Sequence, residues 1–177
     1  MPIYFGCTAG STEATIGLVR HAAAEGADGV IVTVPSYVCP SVGEAIDFYR
    51  AVADATEIPI GIYNNPERVK TDLPPDAVLL LARHPNIVIL KEASPVVSHI
   101  AAIAAGRERE RVELSLMCCD SPNLGLVIPV MALGGQGTAN MTGNLAPREM
   151  AVISRPWRSF DDTLACRSEY LRLLPLL

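Results

Sequence analysis

The sequence predicts an α/β fold built on a parallel sheet, and three observations carry that prediction. Short β-branched or apolar runs alternate with longer segments of helical period as far as about residue 155. The runs start at roughly 30-residue intervals, the repeat of a strand–helix unit. They are apolar on both faces, as expected when right-handed crossovers cover a parallel sheet with helices.

Each element has a local reason. The first strand is expected over residues 3–5. A helix over 12–25 follows, with Ile16, Leu18, Val19, Ala22 and Ala23 on one face, a start after Gly10-Ser11 and a stop at Gly26. Strand 29–34 leads to a helix over 42–55, which begins two residues after Pro40 and clusters Ile46, Phe48, Tyr49 and Val52. Strand 58–63 is next. Pro74-Pro75 opens a helix over 76–82, and Pro85-Asn86 separates it from strand 87–90. The remaining expectations are helices over 96–105, 123–133 and 147–153 and strands over 112–117 and 137–141. Beyond Pro156-Trp157 the pattern becomes one amphipathic helix, 160–174, with Leu164, Tyr170, Leu171, Leu173 and Leu174 as apolar positions. It ends in Leu-Leu-Pro-Leu-Leu, an apolar terminus that reads as a helix cut off from its packing partner. The expected division is therefore a sheet-and-helix body, 1–155, and the start of a helical extension, 156–177.

Composition narrows the function classes. A chain of 177 residues is long enough for one domain with a buried core. Half of it is apolar, only 19% is charged, and mean hydropathy is +0.30, so much of it must be buried on more than one side. Fourteen basic and 19 acidic side chains leave a net charge of −5 with no basic run, which argues against nucleic acid and anionic lipid. The longest apolar stretch, 124–133, is broken by Pro129 and falls short of the ~20 residues of a membrane span. Met-Pro-Ile-Tyr-Phe-Gly at the start has no signal-peptide character, so a cytoplasmic location is expected. Cys7, Cys39, Cys118, Cys119 and Cys166 show no metal-binding spacing and are expected to be buried thiols in a reducing compartment. His21, His84 and His99 lie apart in sequence, and no metal is expected.

In parallel α/β folds the chemistry gathers beyond the carboxyl ends of the strands. Two of those ends stand out. Lys91 directly follows Ile87-Val88-Ile89-Leu90, so apolar surroundings would disfavour its ammonium form and leave an amine able to attack a carbonyl. The competing reading is a strand-end lysine whose stem reaches solvent. Tyr63 ends the preceding strand, and Asn64-Asn65-Pro66 turns the chain after it. A phenol there could relay protons beside the amine if the two strands are neighbours; alone, it reads as a core tyrosine with one satisfied hydrogen bond. Together the pair suits Schiff-base chemistry. Gly134-Gly135-Gln136-Gly137 precedes a strand and lacks a phosphate-loop lysine, so it reads as a turn, and Ser11-Thr12-Glu13 as a helix cap.

The segment Tyr63-Asn64-Asn65-Pro66-Glu67-Arg68, followed by His84-Pro85-Asn86-Ile87-Val88 and Lys91-Glu92-Ala93-Ser94, resembles the dihydrodipicolinate synthase and N-acetylneuraminate lyase family of class I aldolases. The resemblance runs from Gly6 through Ala146-Pro147-Arg148-Glu149-Met150. It implies a (β/α)8 TIM barrel enzyme that binds pyruvate or a related 2-oxo acid as an imine on Lys91, without a separate cofactor, and adds or releases an aldehyde. It further implies Tyr63 as proton donor and acceptor, Arg68 as the residue that orders the site and holds the second substrate's carboxylate, and Ala139 as a backbone contact to pyruvate. Tyr37 matches a tyrosine that completes a proton relay in a neighbouring subunit, which implies a homo-oligomer, dimer or tetramer. Without the family, Arg68 reads as a surface ion pair and Tyr37 as a packed loop aromatic.

The resemblance aligns residues 3–5 with the third barrel strand. About six of the eight strand–helix units, strands three to eight, are then present, with part of a C-terminal helical tail. The first two strands have no counterpart, nor has the paired-threonine turn that contacts the pyruvate carboxylate in the family. A six-stranded sheet of this kind has open edges and an exposed interior. The chain thus reads as a piece of a longer enzyme or as an inactive homologue with a structural or interaction role. Val69-Lys70 stands where synthases usually have Thr-Gly, Ile89 occupies a position normally small, and Cys118-Cys119-Asp120-Ser121 lacks the usual glycine-acid motif. The implied activity is most like 4-hydroxy-tetrahydrodipicolinate synthase, the alternative being a keto-deoxy sugar acid aldolase. Lysine-inhibited synthases carry Asn, Glu and Tyr where this chain has Gly10, Ala14 and Ser36, so no lysine feedback is implied.

Overall fold

The structure, a computed structural model, describes residues 2–119, 121 and 125–177. Strand β1 (Tyr4–Gly6) leads through helix α1 (Thr12–Ala24) to β2 (Gly29–Val32), and α2 (Val42–Asp54) leads to β3 (Ile60–Asn64). A single-turn helix α3 (Pro66–Val69) and then α4 (Pro75–Ala82) precede β4 (Ile87–Glu92). Helix α5 (Ser98–Glu110), β5 (Ser115–Cys119), α6 (Val127–Ala132) and β6 (Gly137–Ala139) follow. A 3-10 turn (Thr142–Asn144), α7 (Pro147–Ile153) and α8 (Phe160–Leu173) complete the chain. The strands form one sheet in the order β1-β2-β3-β4-β5-β6, with every neighbouring pair parallel. The sheet curls into an open half-barrel.

Burial separates the two faces of the strands. Val30, Val32, Ile60, Ile62, Leu90, Leu116 and Cys118 are fully buried, and with Val52, Leu81, Ile100 and Ile103 of the helices they form one core. The alternate positions, Ile31, Tyr63, Ile89, Lys91, Met117 and Cys119, are only half-buried and line the concave interior. Gly61 belongs to that inner face, because a side chain there would strike Ile31 and crowd Ile89. At the free side of the sheet, Ile3 and Phe5 are about half exposed, as the resemblance anticipated for an open edge.

The helix starts follow the expected chemistry. Ser11 caps α1 through Ala14 N–H, Ser41 and Glu44 form a reciprocal box at α2, and Ser159 and Asp162 do the same at α8. Gly134, at φ 84°, makes the expected turn before β6. Helix α8 packs back on α7 through Cys166 Sγ, 3.7 Å from the Ile153 carbonyl, and through an Arg172–Glu149 ion pair at 3.2 Å.

Several boundaries differ from expectation: β2 and β6 end two residues early, β3 runs 60–64 and β4 runs 87–92, so that Asn64, Lys91 and Glu92 belong to the strands, and the largest differences lie at α5, β5 and α6. Helix α5 continues through Gly106 to Glu110, because a Cβ at 106 would strike Leu79 of α4. The glycine marks a close helix contact and no stop. The helix ends instead at Arg111, left-handed at φ 55°, and Val112 N–H closes on Arg107 O at 3.1 Å. Val112 is thereby held in the cap, β5 starts three residues later than expected, and Cys119 joins the strand. The helix expected over 123–133 is observed over Val127–Ala132; residues 123 and 124 lie outside the described residues.

Candidate active site

Tyr63 and Lys91 are direct partners in the β3–β4 ladder. Both side chains rise on the inner face, and Lys91 Nζ stands 3.8 Å from the centroid of the Tyr63 ring. The adjacency required of the two strand ends is therefore met. The phenol extends across β4, so that Tyr63 Oη reaches Cys119 Sγ on β5 at 3.6 Å and accepts a hydrogen bond from Asn65 Nδ2 at 2.8 Å. Burial first, and then the Cys119 contact, push the Tyr63 hydroxyl up to about 12 against the opposing pull of Asn65 and Arg68. The phenol is thus protonated throughout the neutral range and is a proton donor at rest.

Helix α3 is too short to be held by its own ladder, and it is specified by its ends. Asn65 Oδ1 accepts from Arg68 N–H at 3.4 Å, Pro66 occupies the first turn, and Lys70 closes the helix in the left-handed region at φ 63°. This turn brings Arg68 to the rim of a cavity of about 570 Å³, shared with Tyr63, Lys91, Cys119, Ser121 and Ala139. Four of the five site residues read from the sequence, Lys91, Tyr63, Arg68 and Ala139, thus line one cavity. The fifth, Tyr37, is fully exposed at φ 68° and lines an adjoining hollow of about 390 Å³ that also includes Arg68. The packed-aromatic reading of Tyr37 is overturned by that exposure. A third hollow of about 430 Å³ opens toward β1 and is lined by Tyr4, Thr8, Ile31 and Thr33 together with Tyr63 and Lys91.

Behind the pair, on the helix-facing side, lies a polar cluster. Asn64 and Glu92 are partners in the same ladder, one residue beyond Tyr63 and Lys91. Asn64 Nδ2 donates to Glu92 Oε1 at 3.0 Å and to Asp72 Oδ1 at 2.8 Å, and Ser94 Oγ donates to Asp72 Oδ2 at 2.8 Å. Glu92 Oε1 also accepts from the backbone of Ala93 and Ser94 at 2.8 and 2.7 Å, whereas Oε2 has no partner among the described residues. Burial lifts the Glu92 carboxyl to about 7, against the opposing pull of the Ser94 and Ala93 amides. The cluster cross-links β3 and β4 where the catalytic candidates stand.

The expectation of five buried thiols holds only for Cys7, Cys118 and Cys166. Cys39 is exposed, and Cys119 is half-buried in the cavity. Of the other residues that line the cavity, Asn65 and Cys119 touch the Tyr63 hydroxyl and were not singled out from the sequence. Asn65 had a signal, an Asx residue before proline at a helix start. Cys119 had its place at the carboxyl end of a strand, but which face it takes depends on the register of β5. Asp120, read with it at the strand end, lies outside the described residues.

The model of the dihydrodipicolinate synthetase family matches residues 1–177. A 4-hydroxy-tetrahydrodipicolinate synthase of Methanosphaerula palustris is 34% identical over 179 aligned positions, covering all of this chain and 60% of the relative. The dihydrodipicolinate synthase of Thermotoga maritima superposes with a TM-score of 0.89 at 26% identity, over 99% of this chain and 59% of that one. A prophage protein of the dihydrodipicolinic acid synthase family from E. coli K12, solved in complex with pyruvate, gives 0.86 at 28% identity, over 99% and 58%. The chain thus spans less than two thirds of the length of these relatives, and its half-barrel matches the corresponding part of their fold. With the family model covering it from end to end, the chain belongs to the dihydrodipicolinate synthetase family.

Proposed function

We propose that this chain carries the Schiff-base centre of a pyruvate-dependent class I aldolase, most like 4-hydroxy-tetrahydrodipicolinate synthase. The observation that supports it is the Lys91 amine held 3.8 Å over the Tyr63 ring in a cavity shared with Arg68 and Ala139. The Lys91 amine attacks the keto carbon of the 2-oxo acid and forms a carbinolamine. Tyr63 gives its proton to the carbinolamine oxygen, the carbon–oxygen bond breaks, water leaves, and the nitrogen lone pair forms the iminium. The resulting phenolate takes a methyl proton, regenerating the phenol and leaving an enamine that adds to an aldehyde. Arg68, at the rim, is placed to receive a carboxylate of the second substrate. Lys91 itself is the covalent carrier, and the reading calls for no cofactor.

In the same reading the chain supplies strand–helix units three to eight of an eight-unit barrel, with residues 156–177 beginning a helical extension. The full exposure of Tyr37 favours a homo-oligomer in which that phenol serves a neighbouring subunit. No helix among the described residues is long and apolar enough to cross a membrane; a cytoplasmic location belongs to the proposal. Ile89 on the inner face, below Lys91, and Lys70 at the end of α3 favour a second reading, a keto-deoxy sugar acid aldolase of the same family.

Incubation with pyruvate and borohydride, followed by peptide mass spectrometry, tests the proposal. The expected product is a carboxyethyl adduct on Lys91 that is absent from Lys91→Ala. An unlabelled Lys91 in folded protein overturns the aldolase reading and leaves the structural or interaction role. Pyruvate release from a panel of keto-deoxy sugar acids separates the two substrate readings.

A further inference from the structure

The cavity around Lys91 contains a group that the proposed chemistry has not used, the Cys119 thiol. Cys119 lies opposite Ala139 in the β5–β6 ladder, and Met117, two residues earlier, lies opposite Lys91. A side chain from β3 must therefore cross β4 to reach it, and Tyr63 does so. Its hydroxyl is held from two directions, by Asn65 Nδ2 at 2.8 Å and by Cys119 Sγ at 3.6 Å. Asn65 is 8% exposed and fixed at its other end as the cap of α3, so it supplies a rigid donor. Because Asn65 occupies one lone pair of the phenol oxygen, the remaining contact shares a proton between Oη and Sγ. With the oxygen tethered in this way over β5, the ring face stays under the Lys91 amine.

We propose that Cys119 is a positioning residue of this site, whose thiol and the Asn65 amide together orient the Tyr63 hydroxyl for proton transfer above Lys91. The inference deepens the aldolase reading and rests on it. When the carbinolamine forms on Lys91, its hydroxyl replaces the thiol as partner of the Tyr63 proton; the proton moves to the departing oxygen, water leaves, and the methyl proton restores the phenol. The thiol takes no part in bond making. It determines where the phenol waits, and its contact is one of the causes that keep the phenol protonated. Among the described residues, the other charged or titratable groups around Tyr63 are Lys91 from β4, Arg68 and Glu67 from α3, Tyr4 across the hollow toward β1, and Tyr49 of α2, whose hydroxyl donates to the Tyr63 carbonyl at 3.4 Å.

The test compares Cys119→Ala and Cys119→Ser with the unaltered chain. The first measurement is the rate of Lys91 labelling by pyruvate and borohydride, as a function of pyruvate concentration and pH. Cys119→Ala is expected to slow labelling at saturating pyruvate about three- to tenfold, with half-saturation moving less than about twofold, and to lower the alkaline limb of the pH profile. Cys119→Ser, which keeps a hydrogen-bonding partner, recovers part of the rate and of the limb. An alanine variant with unchanged rate and profile overturns the proposal. So do alanine and serine variants that fall equally and in step with their melting temperatures, since that is the signature of packing alone. The second measurement needs no activity. The phenolate fraction of Tyr63 at about pH 10.5 is read from tyrosine absorbance, as the difference between each protein and its Tyr63→Phe counterpart. It is expected to be larger in the Cys119→Ala variant than in the unaltered chain, and equality overturns the proposal. If Lys91 is unlabelled in the unaltered chain, the aldolase reading falls alone, and the phenolate measurement still decides the role of Cys119.

Discussion

Replacing Glu92 by glutamine is expected to stabilise the chain in alkaline solution relative to the unaltered protein. Glu92 is 1% exposed, and burial is the largest influence on its carboxyl, which rises from 4.5 to about 7. Between those values the folded chain holds a proton that the unfolded chain has released. The stability this proton confers is fully present below pH 4.5 and is lost as the pH rises through 7. At about 1.4 kcal/mol per tenfold change in proton affinity, the displacement corresponds to about 3 kcal/mol. Glutamine keeps an acceptor for the three donors at Oε1 and puts an uncharged amide where Oε2 stands without a partner. That amide costs about as much at pH 5 as the unpartnered hydroxyl of the neutral acid, of order 1–3 kcal/mol, so the two proteins should be similar there. By pH 8 the balance should have moved by about 2.5 kcal/mol in favour of Glu92→Gln, the rest of the displacement being already lost at pH 5. Urea unfolding of both proteins at pH 5, 6, 7 and 8 measures the difference directly. A difference that stays constant over this range, or that moves toward the unaltered chain as pH rises, refutes the assignment of a proton-holding carboxyl behind Lys91.

Two further outcomes are expected. Tyr63→Phe removes the proton donor together with the contacts of its hydroxyl to Asn65 and Cys119, so labelling of Lys91 by pyruvate and borohydride should slow by roughly 10²–10⁴-fold with little loss of stability; calorimetry and the labelling time course together check this. Lys70→Gly relieves a left-handed lysine at φ 63° at the loss of one exposed contact to the Glu67 carbonyl. It should stabilise the chain by about 0.5–1 kcal/mol, the relief of about 1–2 kcal/mol being partly offset by the greater freedom of unfolded glycine, as read from the urea midpoint.

The alternation of strands and helices was legible because hydrophobic period is a local property, and sequential parallel strands then place Tyr63 beside Lys91 without further information. The places where expectation and structure part are decided by residues distant in sequence or by single backbone angles. Gly106 looks like a helix stop until Leu79 of another helix is seen to need its space. The start of β5 turns on Arg111 adopting a left-handed cap, and with it the position of Cys119. Helix α3 makes one turn, too little for any periodicity, and is written instead in Asn65-Pro66 and the left-handed Lys70. Asn64 and Glu92 lie just beyond the strands expected over 58–63 and 87–90, and β3 and β4 extend to include them. Only the β3–β4 register, with its irregularity between Ile60 and Gly61, shows that they answer each other.

The hollow toward β1 has a kinetic consequence. Tyr63 and Lys91 border it as well as the main cavity, so water can approach the amine from two sides. Under the proposed aldolase reading, an iminium formed there is open to hydrolysis as well as to proton loss, and its lifetime is set by competition between water and the Tyr63 phenolate. A reductant present throughout incubation captures that species, whereas one added after pyruvate is withdrawn finds the free amine. Closing the β1 side of the half-barrel lengthens the life of the intermediate without touching a catalytic atom.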